Sequence, residues 1–219
     1  MDRRKTALKI LNILKEEYPM YQTPVSTYFR ETTKNPFKVL ISTILSARAK
    51  DSQTERVSKF LFKIADTPQK LSKLDHDTLC KILYSIGFYR TKAKRIKEAS
   101  KFLLENYNGK VPKTREELIK IPGVGRKVAN IVLAECFNLS VIAVDVHQHR
   151  IPNRMGLIRT KNPLETEKEL MEIYPKKEWN KLNRCFVVHG QNICLPISPK
   201  CSLCKVETYC KKIGVKIHR

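Results

Sequence analysis

Apolar and polar residues alternate with a helical period along most of the chain. Near the N-terminus Ala7, Leu8, Leu11 and Leu14, with Ile10 beside them, form one apolar stripe, and Pro19 closes the segment. Three further helix starts share one recipe, a capping residue followed by Pro at the first helical position: Asn35-Pro36, Thr67-Pro68 and Asn162-Pro163. "TREE" (114–117) reads as a capping box, with Thr114 as cap and Glu117 three residues on. Gly87 is the expected stop of a helix ending near Ile86, and "YNGKVP" (107–112) reads as a turn. No segment alternates as a strand would, so the expected class is all-α. The character of the chain changes after about residue 139, and the cysteines then gather toward the C-terminus.

Composition sharpens this picture in two ways. With 43 Lys and Arg against 21 Asp and Glu, the 219-residue chain carries a net charge of +22. Basic surface gains affinity for a polyanion by releasing condensed counterions, so nucleic acid is the expected partner. The longest clean apolar run, "VLISTIL" (39–45), is far below the roughly 18 residues of a membrane span. The N-terminal apolar residues are interleaved with Lys and Asn, unlike a signal peptide. The expectation is an intracellular protein, in the cytoplasm with the chromosome and with no membrane partner. Seven cysteines in such a chain point to metal rather than disulfides.

Cys194, Cys201, Cys204 and Cys210 give C-x6-C-x2-C-x5-C, close enough to wrap one metal centre. Both structural zinc and an iron–sulfur cluster take four thiolates, and spacing alone separates them poorly. Cys80, Cys136 and Cys185 stand singly among apolar neighbours and read as buried core thiols.

"LIKIPGVGRKVANIVLAECF" (118–137) reads as a helix–hairpin–helix. A short helix carries Leu118 and Ile121, Pro122 ends it, and Gly123-Val124-Gly125 turn the chain into a second helix from about Arg126. Val128, Ile131, Val132 and Ala134 are its expected packing residues. Glycines let backbone approach a ligand closely, and amides at the turn have no intrahelical partner and suit a phosphate. Lys127 stands at the positive end of that helix. The helix dipole and burial both disfavour its charged form, and a neutral amine is a nucleophile able to form a Schiff base. The hairpin alone equally allows a lysine that only contacts phosphate. In "VIAVDVHQHRIPNR" (141–154), Asp145 could cap a helix or supply a carboxylate to a site shared with Lys127. His147, His149 and Arg150 could reach a DNA backbone.

Taken in order, "LSARAKD" (45–51), "IGFYRTKAKRI" (86–96), "NGKVP" (108–112), "IPGVGRKVAN" (121–130), "VDVHQHR" (144–150), "VVHG" (187–190) and the four-cysteine loop resemble the endonuclease III family of DNA glycosylases. The resemblance covers nearly the whole chain. It implies a two-lobed helix–hairpin–helix glycosylase fold: a six-helix barrel lobe over residues 29–139, and a lobe of residues 1–28 and 140–219 holding a [4Fe–4S] cluster on Cys194, Cys201, Cys204 and Cys210. It implies a monomer that binds double-stranded DNA containing a damaged base or an abasic site, with the damaged nucleotide flipped out of the stack. Lys127 matches the family's catalytic lysine and Asp145 its aspartate. By resemblance the amine displaces an oxidised pyrimidine from C1′, and β-elimination then nicks the strand 3′ to the lesion. Gly123, Val124, Gly125, Arg126, Arg48, Phe88, His147 and Lys200 are the implied DNA contacts.

The sequence departs from the family pattern in places. Arg48 stands where a gap-filling Gln is common, Phe88 where the wedge is often Leu, and Gln148 where an apolar or aromatic residue is usual. Lys200 is the only cation in "CLPISPKC". These positions bear on substrate choice and opposite-base preference. Two other functions compete: a sibling glycosylase for uracil or mismatched thymine, and a non-catalytic DNA-binding module with a structural metal. Relatives specialised for mismatched thymine usually lack a lysine at the position of Lys127, and a bare module would not need both Lys127 and Asp145.

Overall fold

The computed structural model describes residues 2–21 and 23–219. Met1 and Gln22, within the expected 1–28 segment, lie outside the described residues. Twelve α-helices and no strand are present among the described residues, as the periodicity predicts. They are divided between two compact units, Val25–Leu139 and Met1–Pro24 with Ser140–Arg219.

The first unit begins with α2 (Val25–Thr33) and α3 (Pro36–Ser46), after α1 (Arg3–Glu17) of the other unit. Residue 29, the expected start of the barrel, therefore falls inside α2. Asn35 caps α3 by accepting from the amides of Phe37 and Lys38. Phe37 and every residue from Val39 to Leu45 are buried, so α3 is apolar nearly all round and forms the centre of its unit. Its two buried polar residues do not break that core, because Ser42 and Thr43 both donate to the Val39 carbonyl. Helices α4 (Asp51–Ile64) and the long α7 (Tyr89–Tyr107) pack on α3, and α5 (Pro68–Lys73) and α6 (His76–Leu83) pack on α7. The short α8 (Arg115–Leu118) and α9 (Arg126–Phe137) complete the unit, and α9 packs on α3.

Three sequence expectations change here. Helix α6 ends at Leu83 rather than near Ile86, and the left-handed residue after it is Phe88 (φ 60°) rather than Gly87. A turn over 84–88 intervenes, with the Ile86 amide donating to the Leu83 carbonyl, so the reversal falls one residue later than the glycine suggests. Of the three lone cysteines only Cys185 is buried; Cys80 and Cys136 are half-buried, because their helices carry them beside the core rather than into it. On α9 the buried set is Ala129 to Leu133, while Val128 and Ala134 are half-buried.

In the other unit α1 joins α10 (Val146–Met155), α11 (Pro163–Ile173) and α12 (Trp179–Asn192). Ala7, Ile10, Leu11 and Leu14 of α1 bury against a core that includes Ile151, Leu170, Leu182 and Phe186. Glu17 at the end of α1 meets His189 of α12 at 3.2 Å, and both side chains are almost fully buried. No helix among the described residues is long and apolar enough to cross a membrane.

Candidate DNA-binding and catalytic residues

The hairpin over 115–137 is built from local rules and one long-range support. Thr114 caps α8, and its hydroxyl donates to the Glu117 carboxylate. Arg115 Nε donates to Asn130 Oδ1 at 2.9 Å, which ties α8 to the buried face of α9. Between the helices Gly123 adopts φ +83°, and a Cβ there would lie 3.2 Å from the stem of Arg95 on α7. Gly125 is the N-cap of α9 with an ordinary extended backbone, and no side chain caps the helix. A Cβ on Gly125 would meet nothing within 4 Å. The first amides of α9 thus begin beside open space, the arrangement that suits an anion.

The implied contacts on this hairpin differ in character. Gly125 and Arg126 are exposed. Val124 is 6% exposed, and its amide donates to the Ile121 carbonyl, so it anchors the turn from inside. Lys127 is half-buried at the second position of α9. One turn before Arg95, Lys92 is only 3% exposed, and its Nζ has no hydrogen-bond partner. Burial lowers its pKa to about 8. Periodicity does not reveal Lys92, since it follows a polar Tyr-Arg-Thr stretch and resembles any surface lysine.

Arg48 and Phe88 come together. The Arg48 guanidinium lies 5.7 Å from the centroid of the Phe88 ring, and both residues hold left-handed backbone, at φ 53° and 60°. Both are exposed. Bulky residues occupy that region at a cost, and such strain persists where surrounding structure enforces it.

In the other unit Asp145 caps α10. Its Oδ1 accepts from the amides of His147 and Gln148, both at 2.9 Å. Two arginines of α10 then fasten it to the cysteine loop. Arg150 Nη2 donates to the Cys194 carbonyl at 2.8 Å, and Arg154 donates to the carbonyls of Leu195 and Pro196. Arg150 also contacts His147 Nδ1 at 3.1 Å, and His149 is bonded to Thr166. Arg150 and His149 are therefore engaged with partners inside the unit. His147 packs over Gly190, where a Cβ would approach its ring to 2.2 Å, which accounts for the glycine in "VVHG". Gln148 is fully buried and accepts from Asn183 Nδ2. That bond satisfies only the amide oxygen, and Gln148 Nε2 is buried without a hydrogen-bond partner.

Cys194, Cys201, Cys204 and Cys210 line one cavity, with Arg154, His189 and Lys200 on its walls. Among the described residues no three His, Cys, Asp or Glu side chains are drawn together as a finished metal site. The donor set nevertheless fits a thiolate-bound group. Arg154 Nη1 donates to Cys194 Sγ at 3.3 Å, and the Lys212 amide donates to Cys210 Sγ at 3.4 Å. Burial raises the Cys201 and Cys210 thiols and pushes Cys204 up to about 12. Thiolates in this setting need a cation to displace the protons.

These features have counterparts. Residues 41–176 match the HhH-GPD superfamily of base excision DNA repair proteins. Over 177 residues the chain is 46% identical to endonuclease III of Thermotoga maritima, covering 81% of this chain and 83% of that protein. The chain belongs to the endonuclease III family. The structure of a trapped endonuclease III–DNA covalent intermediate, in its estranged-adenine complex, superposes with a TM-score of 0.86 at 34% identity, over 97% of each chain. A non-covalent endonuclease III–DNA complex gives 0.87 at 35% identity, with the same coverage. As an endonuclease III family member the chain is a DNA-binding base-excision repair enzyme, a DNA glycosylase with AP lyase activity, and its all-α architecture is the family's helix–hairpin–helix fold.

Proposed function

We propose that this enzyme excises oxidised pyrimidines from double-stranded DNA through Lys127 and Asp145, and nicks the strand at the resulting abasic site. The observation that carries the reading is the position of Lys127 directly after the uncapped, glycine-cleared start of α9. A phosphate held by those amides brings a nucleotide to the amine. Lys127 Nζ attacks C1′ of the flipped nucleotide and the base departs. The sugar ring then opens as its C1′–O4′ bond breaks and O4′ takes a proton. The C1′=N Schiff base so formed activates C2′ for proton loss, and β-elimination expels the 3′-phosphate, breaking the strand 3′ to the sugar. Asp145 supplies a carboxylate that stabilises the cationic sugar and takes up a proton. Its role as helix cap holds the carboxylate in place, and Arg150 and Arg154 brace α10 behind it.

Cys194, Cys201, Cys204 and Cys210 would hold a [4Fe–4S] cluster, with zinc as the minor alternative. Four thiolates around iron supply an electron-transfer and structural centre. The chain's own part is mechanical: the cysteine loop is the surface to which α10, and with it Asp145, is bonded. Residues 29–139 would form the barrel lobe, with residues 1–28 and 140–219 as the cluster lobe. Gly123, Gly125, Arg126, Arg48, Phe88, His147 and Lys200 would contact DNA, Val124 would support the turn from within, and the enzyme would act as a monomer in the cytoplasm.

The test is borohydride trapping on duplexes carrying thymine glycol, uracil opposite guanine, or an abasic site. Wild type should give a covalent adduct on the thymine glycol and abasic duplexes, and Lys127→Ala should give none. An adduct that survives in Lys127→Ala would remove the lysine from the mechanism. Base loss confined to the uracil duplex would transfer the substrate to the uracil class.

A further inference from the structure

Residues 84–90 carry three aromatic rings, Tyr84, Phe88 and Tyr89. Tyr84 is 72% exposed and Phe88 62%. Rings of that size normally bury, and two of them displayed on one short turn call for an occupant. The turn is an anchored support. Ile86 at its centre is buried and bonded to Leu83, and the Phe88 carbonyl accepts the Lys92 amide of α7.

The rings are interleaved with cations. Tyr84 meets Tyr89 edge-on, with centroids 5.3 Å apart and planes at 61°. The Arg90 guanidinium lies 5.0 Å from the Tyr89 centroid, and that of Arg48 lies 5.7 Å from the Phe88 centroid. The edge contact fixes the orientation of Tyr84 while leaving most of its surface in solvent. Aromatic surfaces fixed in place and flanked by guanidinium groups are the chemistry that stacks nucleobases and holds the phosphates between them. A paired base offers no free face to such a ring, whereas an unpaired base offers two.

We propose that Tyr84, braced edge-on by Tyr89, is a second nucleobase-stacking surface on the turn that carries Phe88, and that it takes an unpaired DNA base. The proposal rests on the reading of this chain as a DNA repair enzyme and goes beyond the wedge position. It predicts that DNA with unpaired bases gains affinity through Tyr84 and that fully paired duplex does not.

Fluorescence anisotropy at fixed salt tests it, using labelled oligothymidylate and a blunt duplex of the same length, with wild type, Tyr84→Ser and Tyr84→Phe. Tyr84→Ser should weaken oligothymidylate binding about tenfold, the effect of losing one stacked base, and duplex binding less than about twofold. Tyr84→Phe keeps the ring and should restore wild-type affinity. Matching circular dichroism and melting midpoints establish that the variants fold, as the exposure of Tyr84 leads one to expect. Unchanged oligothymidylate affinity in Tyr84→Ser overturns the proposal, and so does an equal loss on both DNA forms. Trapping on the abasic duplex by wild type reports the catalytic reading separately. A wild type that traps while Tyr84→Ser keeps full oligothymidylate affinity sinks the stacking surface alone. A wild type that fails to trap, yet shows Tyr84-dependent binding, sinks the catalytic assignment alone.

Discussion

The stem of Arg95 fills the space that a side chain at residue 123 would need: a Cβ on Gly123 would lie 3.2 Å from Arg95 Cβ and Cδ. The helix–hairpin–helix turn is thereby seated on α7, and Gly123 is fixed by both its left-handed backbone and this contact. Gly125, two residues on, has neither constraint. The two glycines of one motif thus serve different ends, the first the fold and the second the open face of the turn.

Substitutions should separate them. Gly123→Ala should lower stability by about 1–2 kcal/mol, read from denaturant unfolding, because alanine must take a left-handed backbone against Arg95. Gly125→Ala should leave stability nearly unchanged. Alanine is the poorer cap, but it restricts the unfolded chain, and the two effects offset. Its Cβ projects where a phosphate would approach, so affinity should fall alike for intact, abasic and damaged duplexes. A loss confined to one lesion would place Gly125 in the base pocket instead.

Asp145 carries two functions that chemistry can divide. As a cap it needs an oxygen acceptor, and as a catalytic group it needs a charge. Asp145→Asn keeps the acceptor, so the melting midpoint should stay close to wild type while strand nicking collapses. Asp145→Ala loses both, with about 1 kcal/mol of stability gone as well. Nicking by Asp145→Asn at the wild-type rate would reduce the residue to a cap.

The cysteine assignment predicts a contrast between two buried thiols. Cys201→Ser should lower bound iron per chain and the brown thiolate-to-iron absorbance. Cys185→Ser should retain the iron and show only the modest destabilisation of a hydroxyl placed among apolar neighbours, about 1–2 kcal/mol. Equal iron in both variants would exclude Cys201 as a ligand. Zinc in place of iron in the purified protein would keep the ligand set and change the metal.

What could be read along the chain was whatever depends on near neighbours. Asn35-Pro36, Thr67-Pro68 and Asn162-Pro163 all start helices, because cap and proline act within one turn. The helical period alone was enough for the all-α class. Contacts across long separations were invisible: Glu17 with His189, Arg95 under Gly123, and Arg150 on the Cys194 carbonyl. The stop at Gly87 failed for a related reason. Local preference puts glycine in the left-handed position, but the packing of Ile86 and the start of α7 give that position to Phe88. Motif order identified candidate residues, whereas their supports emerged only in three dimensions.

Lys92 gives the fold a distinctive pH dependence. Its amine is buried without a partner, and its pKa falls from 10.5 to about 8. Between those values the unfolded chain binds a proton that the folded chain does not, so this group's contribution to stability rises with pH across the window. Below about pH 8 the folded state carries the charge at a desolvation penalty. The rise from this one group should be on the order of 2 kcal/mol between pH 8 and 10. Cys185, pushed up to about 11 by burial, acts in the opposite direction over part of the same range, so the comparison must be between variants. Lys92→Met keeps the length of the side chain and removes the charge. It should be more stable than wild type at pH 7, with the difference shrinking as pH approaches 10. Denaturant unfolding at a series of pH values measures that difference, and a gap independent of pH would show that Lys92 keeps its proton throughout.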